Sequence, residues 1–411
     1  MVVKRLTLVD PPPPLANHDA ASLAQAVQRQ TGVSLTRCER LARRALGVAF
    51  ATDGDGDAAW SREALSHAGI GRWAQAALLA LSPRLTLELV EQAPSSDGTV
   101  RLLLRCRDGA VIESVIIPAE AGRERGRTTL CLSSQVGCAR ACTFCETGTL
   151  GLSRQLSSSE IVDQYRIAAR LCARPDRPWD KRTAASHASV TATAPGRRAP
   201  QARQAISNIV FMGMGEPFDN LAAVSRAIAL LTLQQGFSFA PSRITVSTVG
   251  VADKLAQFFQ NTRAELAISI NAPDDRRRNL IMPINQRHNL AALRAALLAA
   301  MPQNARVLFQ YALFNNFNDS AADAQRLAAY VRPIRCRVNV IAANPGPDPT
   351  LVAPSPQKID AFINALRARG VTTLLRRPRG RDVGGACGQL AGAHRKRRAA
   401  ASITAAEDVS L

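Results

Sequence analysis

The stretch Val136-Gly-Cys138-Ala-Arg-Ala-Cys142-Thr-Phe-Cys145-Glu-Thr-Gly148 decides how this chain is read. Its CxxxCxxC spacing supplies three thiolates where iron–sulfur clusters usually take four, which leaves one iron open to a ligand from outside the protein. A structural zinc with a distant fourth ligand is the alternative, although zinc knuckles more often use paired CxxC or Cys/His spacings.

Outward from this loop, β-rich runs alternate with helical patterns. The runs are Thr128–Leu132, Ser207–Met212, Arg243–Ser247, Glu265–Ile270, Arg306–Leu313, Arg337–Ala342 and Thr372–Arg376. Such alternation predicts an α/β fold with a parallel sheet wrapped by helices. Six or seven βα units make an incomplete barrel, expected over residues 127–392. In such folds chemistry gathers at the carboxyl ends of the strands, and the cysteine loop follows the first of them.

Upstream, apolar residues recur at helical spacing from Ser22 to about Leu81, so residues 21–84 read as a small helical N-terminal domain. Residues 1–20 read as a flexible leader. Alternating runs at Leu85–Val90, Thr99–Cys106 and Ala110–Ile117 make residues 85–126 a β linker or extension. Residues 173–204 lack any period and read as a disordered basic insertion. The segment 393–411, with His394-Arg-Lys-Arg-Arg398, reads as a loose tail.

Lys and Arg number 52 against 32 Asp and Glu, a formal net charge of +20. That excess points to a polyanionic partner, most plausibly nucleic acid. Aromatic residues make up only 4%, which argues against extensive base stacking on aromatic platforms. No run of about twenty apolar residues suits a membrane, and the N-terminus lacks the apolar core of a secretory signal. A cytoplasmic protein is expected, in which nine cysteines serve as metal ligands, catalytic thiols and core thiols, not as a disulfide framework.

Past the cysteine loop, Phe211-Met-Gly213-Met-Gly215-Glu216-Pro217 reads as a strand entering a glycine turn. The glycines allow close backbone approach, and Glu216 could accept hydrogen bonds from a bound ammonium; a plain tight βα turn would use the same residues. Ser247, Ser269-Ile270-Asn271 and Asn344 place hydroxyls and amides at later strand ends, where they could equally cap the following helices. Cys387, in Gly384-Gly-Ala-Cys387-Gly, reads as an exposed thiol, whereas Cys38, Cys106, Cys172 and Cys336 fit the core.

The strings Cys131-Leu-Ser-Ser-Gln-Val-Gly-Cys-Ala, Met212-Gly-Met-Gly-Glu-Pro, Met282-Pro-Ile-Asn285 and Ala386-Cys-Gly-Gln-Leu-Ala-Gly392 resemble the RlmN/Cfr family of radical-SAM RNA methyltransferases. The resemblance runs from about Glu113 to Gly392 and implies a partial (βα)6-type radical-SAM barrel. It further implies one [4Fe–4S] cluster on Cys138, Cys142 and Cys145, with S-adenosylmethionine (SAM) on the open iron. Gly215 and Glu216 would hold the SAM amino group, and Ser247, Ser269, Ile270, Asn271 and Asn344 would complete the pocket.

In the mechanism this resemblance implies, Cys387 takes a methyl group from one SAM by nucleophilic attack. A radical from a second SAM then abstracts hydrogen from the S-methyl group, and the carbon radical adds to C2 or C8 of an adenosine in ribosomal RNA and/or tRNA. Cys131 attacks the Cys387 sulfur to release the product, leaving a transient disulfide, and Glu113 is the proton acceptor. RNA, a reductant such as a flavodoxin or ferredoxin, no membrane and a monomeric state belong to the same expectation. Two departures stand out: Asn271 occupies the place of a common His, and Ile341-Ala-Ala-Asn344 replaces a usual Pro-Trp-Asn. A radical-SAM enzyme acting on another substrate and a catalytically silent RNA-binding paralogue are the other readings.

Overall fold

The computed structural model describes residues 14–51, 60–81, 84–119, 127–173 and 206–390. Ten strands form one sheet. Its antiparallel edge is β1 (Leu87–Pro94), β2 (Val100–Cys106) and β3 (Val111–Pro118), and β3 pairs antiparallel with β4 (Thr128–Cys131). A short hairpin of β5 (Gln135–Cys138) and β6 (Gly151–Gln155) stands outside that sheet. Then β7 (Asn208–Phe211), β8 (Ile244–Thr248), β9 (Glu265–Ser269), β10 (Val307–Leu313), β11 (Cys336–Ala342) and β12 (Thr373–Arg376) continue from β4 in chain order, every pair parallel.

Chain-order parallel pairing needs a crossover between successive strands, and helices supply it on the outer face. Central strands are covered on both faces, while β12 at the far edge leaves Leu374 and Leu375 exposed. Leu266, Ala267 and Ile268 of β9 are consecutive and all buried, the continuous apolar pattern of a doubly covered strand. All seven parallel strands end at one rim.

The N-terminal helices α1 (Ala20–Thr31), α2 (Leu35–Ala51), α3 (Arg62–His67) and α4 (Arg72–Leu79) lie where helical spacing predicts them. Asp19 caps α1 by accepting from the Ser22 N–H at 2.8 Å, and Gly32 ends it in the left-handed region at φ 69°. Leu23, Val27, Leu41 and Leu46 share one continuous core with the barrel. At the seam, Phe50 of α2 meets Phe237 at 5.0 Å between ring centroids. A Cβ on Gly47 would lie 2.7 Å from the Gln235 carbonyl oxygen, so glycine permits this helix to approach the barrel.

Three expectations change. The flexible leader was set to end at residue 20, yet Leu15 and Ala16 are buried and the Ala16 carbonyl accepts from Ser158 Oγ at 2.9 Å. Apolar burial and that hydrogen bond fix residues 14–20 on the helix α6 (Ser158–Ala173), following a one-turn helix α5 (Glu146–Thr149). The β linker or extension is the edge of the main sheet, because β3 and β4 satisfy one another's backbone. The β5–β6 hairpin has no counterpart among the expected strands, since Gly151–Gln155 is mostly exposed and carries no apolar alternation. Residues 1–13, the insertion beyond Ala173 and the tail at 393–411 lie outside the described residues.

Candidate active site

The cysteine loop is shaped by local backbone chemistry. Ala141 takes a left-handed conformation at φ 50°, turning the chain between Arg140 and Cys142, and the Cys145 N–H donates to the Cys142 carbonyl at 3.1 Å. At Gly137 (φ 81°) a Cβ would fall 1.9 Å from the Gly151 oxygen, so only glycine lets β5 and β6 close behind the loop. Cys138, Cys142 and Cys145 all line one cavity of about 170 Å³, together with Gly215, Glu216, Ser247, Ser269, Asn271, Asn344 and Cys387. Strand ends separated by up to about two hundred residues meet here, as the parallel order requires.

The glycine turn is anchored from the cysteine side. Ser133 Oγ accepts the Met214 N–H at 2.8 Å and donates to the Glu113 carbonyl at 2.6 Å, while Gln135 Oε1 accepts the Glu216 N–H at 2.7 Å. The string Leu132-Ser-Ser-Gln135 thus holds the turn that carries Glu216. The Glu216 carboxylate accepts from the Phe218 N–H at 2.9 Å and the Val249 N–H at 2.8 Å. Burial nevertheless raises its pKa to about 7, against the pull of those two donors. A cationic ligand beside it would restore the carboxylate.

Asn271 has a structural reason for its place. It sits at φ 55°, a conformation that Asn tolerates better than most residues. Its Oδ1 accepts the Ala312 N–H at 2.9 Å, and its carbonyl accepts from Asn318 Nδ2 at 2.8 Å, which ties the ends of β9 and β10 together. Asn344 donates to the Cys387 carbonyl at 3.0 Å and accepts from Arg381 Nε at 2.7 Å. The Cys387 loop also rests on the cysteine loop directly, through the Glu146 N–H to the Gly388 carbonyl at 2.7 Å and Thr147 Oγ1 to the Leu390 carbonyl at 3.1 Å.

Cys387 lines a second, smaller cavity of about 60 Å³ as well, shared with Cys131, Met212, Arg376, Arg377 and Arg379. Both cysteines are free thiols. Cys131 ends β4, where burial first, and then the neighbouring Cys387 thiol, push its pKa up to about 12. Arg379 is paired with Asp97 at 2.8 Å, so Arg376 and Arg377 carry the positive charge on this side of the site.

Two expected site residues stand elsewhere. The Ile270 side chain is in the core and lines neither cavity; its backbone serves instead, the N–H donating to the Gln310 carbonyl at 3.0 Å. Glu113 is buried on β3 and ion-paired with Arg101, because a buried carboxylate needs a donor, and it also lines neither cavity. It shares a sheet face with Val115, the register partner of Cys131. Residues absent from the sequence reading include Arg140, Thr248, Val249 and Gln310, all lining the larger cavity. Arg140 lies inside the cysteine loop and pairs with Asp219; only its position in the motif could have marked it.

The chain matches the Radical SAM superfamily over residues 132–328. It is 54% identical to a probable RNA methyltransferase of Sorangium cellulosum, across 93% of this chain and 89% of that protein. It is 40% identical to the dual-specificity RNA methyltransferase RlmN of Anaeromyxobacter dehalogenans, across 79% and 82% of the two chains. The chain belongs to the RlmN/Cfr family of radical-SAM RNA methyltransferases. A crystal structure of a radical SAM methyltransferase from Sphaerobacter thermophilus superposes with a TM-score of 0.71 at 33% identity, covering 92% of this chain and 99% of that one. This protein of the RlmN/Cfr family is therefore an enzyme that methylates RNA by radical-SAM chemistry. No helix among its described residues is long and apolar enough to cross a membrane.

The donor set suits the cluster that the radical-SAM family implies. Three thiols at CxxxCxxC spacing line one cavity, a donor set that leaves the fourth iron of a cluster open to an outside ligand. Gly148 lets the one-turn helix α5 close on the cysteine loop: a Cβ on it would lie 2.9 Å from the Cys142 carbonyl oxygen. Without a cation, burial pushes Cys138 up to about 12 and raises Cys142 and Cys145 too. Coordinated iron would hold all three as thiolates.

Proposed function

We propose that this enzyme places a methyl group on C2 or C8 of an adenosine in ribosomal RNA or tRNA, with Cys387 as methyl carrier and Cys131 as resolving thiol. The observation that carries the reading is that Cys387 lines both cavities, facing the three thiols and Glu216 on one side and Cys131 on the other. Cys138, Cys142 and Cys145 would hold a [4Fe–4S] cluster. With SAM bound, such a cluster supplies a carbon radical able to take hydrogen from an unactivated methyl group.

The protein's own residues do the rest. Glu216, with Gly215 beside it, receives the SAM ammonium; Ser247, Ser269, Asn271 and Asn344 offer polar groups along the same cavity. The Cys387 thiolate displaces S-adenosylhomocysteine from the methyl carbon of SAM, one S–C bond forming as another breaks. Once the S-methylene radical has added to the adenine carbon, rearomatisation of the adduct gives up one electron, to the external one-electron couple, and the proton on that carbon, which Glu113 accepts, a role supported by the family resemblance and by its sheet face. The Cys131 thiol then attacks the Cys387 sulfur, giving up its proton as it does so. An S–S bond forms, the sulfur–methylene bond breaks with its electron pair going to carbon, and that carbon takes a proton.

Arg376 and Arg377 beside the two thiols suit an approaching phosphate backbone, and the names of the relatives support RNA as substrate. An external one-electron donor of the flavodoxin or ferredoxin type completes the scheme. Mass spectrometry of RNA nucleosides after incubation with anaerobically reconstituted enzyme should show 2-methyladenosine or 8-methyladenosine. Tightly bound zinc in place of iron, by metal analysis and Mössbauer spectroscopy, would overturn the cluster assignment.

A further inference from the structure

Arg278 is the largest fully buried side chain among the described residues, and nothing in the proposed chemistry uses it. It lies on the helix Asp275–Ile281. Its guanidinium donates to uncharged oxygens: Nε to the Ile270 carbonyl at 3.1 Å, Nη2 to the carbonyls of Val249 at 2.6 Å and Ser269 at 3.2 Å, and Nη1 to Asn285 Oδ1 at 2.8 Å and the His288 carbonyl at 3.5 Å.

Two of these acceptors, Val249 and Ser269, line the larger cavity. Val249 follows β8 and is held from both directions, its carbonyl by Arg278 and its N–H by Glu216 Oε2. Ser269 and Ile270 end β9 and lead into Asn271. Gly250 makes room for the guanidinium, since a Cβ there would lie 3.2 Å from Arg278 Nη2 and 2.9 Å from Leu293 Cδ2. The string Met282-Pro-Ile-Asn285 also finds its use: Asn285 accepts from Arg278 and braces itself by donating to Asn279 Oδ1 at 2.7 Å.

A guanidinium stays protonated in proteins, and burying it without a paired anion is costly. Among the described residues no carboxylate is hydrogen-bonded to this one. The ionisable groups whose charge bears on it are Tyr330, Cys142 and Asp275. The cysteine loop rests on the same helix, with the Thr143 N–H donating to the Ile281 carbonyl at 3.1 Å and Cys142 packed with Ile281 and Met282, so a thiolate loop would add negative charge on that side.

We propose that Arg278 is a positioning residue of the SAM site: it locks the turns after β8 and β9 that place Glu216 and Asn271, and sets its charge against the thiolate loop. The proposal rests on the assignment of a cluster to Cys138, Cys142 and Cys145 and of the SAM ammonium to Glu216.

The test compares Arg278→Met, which removes hydrogen bonds and charge, with Arg278→Lys, which keeps the charge on a different geometry. Full-length proteins are reconstituted anaerobically and checked for iron content and melting before SAM affinity is measured by equilibrium dialysis and the cluster midpoint potential by EPR-monitored titration. Both variants should bind SAM at least tenfold more weakly. Only Arg278→Met should lower the midpoint potential, because removing a nearby positive charge disfavours the reduced, more negative cluster, a change that a merely structural role would not separate from the Lys variant. SAM affinity within twofold of wild type in a folded, iron-loaded Arg278→Met protein, or a potential that does not distinguish Met from Lys, overturns the proposal. Should both variants fail to fold, Asn285→Ala decides: about threefold weaker SAM binding and faster amide exchange at Val249–Val251 support it, and no change in either overturns it. Wild-type protein that loads no iron, or loads iron and binds no SAM, defeats the underlying site assignment instead.

Discussion

Cys131 and Cys387 carry the same functional group in opposite surroundings. Cys131 ends a strand whose backbone is paired on both sides, and burial drives its thiol up to about 12. Cys387 is half-buried on a glycine-rich loop, tethered through its own carbonyl to Asn344 and through Gly388 to Glu146. A thiol that must meet a methyl donor and then a base needs access from two directions, and the loop provides it. A thiol that acts once, from behind, can remain protected until the adduct forms. In the roles proposed for them, location in the fold, and not the side chain itself, divides the labour between the two thiols.

The largest expected effect breaks the comparison outright. Cys387→Ala should abolish RNA methylation in a nucleoside mass-spectrometric assay while leaving iron content and SAM binding intact, because only the methyl carrier is lost. Cys131→Ala should instead leave protein covalently attached to RNA after purification from cells. If that variant turns over normally with no attached RNA, Cys131 is a core thiol and the pairing fails.

Smaller effects sharpen the contrast between the SAM wall and the Cys387 loop. Glu216 is protonated below its raised pKa of about 7 and ionised above it, and under the proposed assignment the SAM ammonium needs the ionised form. SAM affinity measured by equilibrium dialysis should therefore fall about tenfold from pH 8 to pH 6, following the ionised fraction; Glu216→Gln should bind weakly with no such slope. Asn344→Ala removes hydrogen bonds to the Cys387 loop, each worth about 1 kcal/mol. It should slow turnover about fivefold with SAM affinity nearly unchanged. An equal loss of affinity would place Asn344 on the cofactor, as the sequence reading had it.

The three-thiol spacing, the GMGE turn and the alternation of strands with helices were legible because each is local: thiol spacing, glycine freedom and strand periodicity are written over a few residues. The seven parallel strands accordingly fall within a residue or so of their expected positions. The β5–β6 hairpin was illegible, since exposed residues such as Leu152 and Arg154 are held by backbone pairing and by contacts with Asp108 and Glu160 instead of by an apolar face. Arg278 gave no signal either, being one Arg in the run Arg276-Arg-Arg278 that reads as solvated surface. Its two predecessors do meet solvent or acidic partners, and helical geometry alone turns the third inward.

By itself, then, the sequence determined the thiol set, the order of the strands and the family resemblance, because spacing along the chain is enough to specify them. Only the tertiary structure decided that Cys387 faces both cavities, that Glu113 is paired with Arg101, and that Asn271 and Asn344 brace the rim of the cavity they line. Those facts depend on which strand ends and loops meet across long stretches of chain. A parallel sheet brings them together through crossovers that no local pattern records.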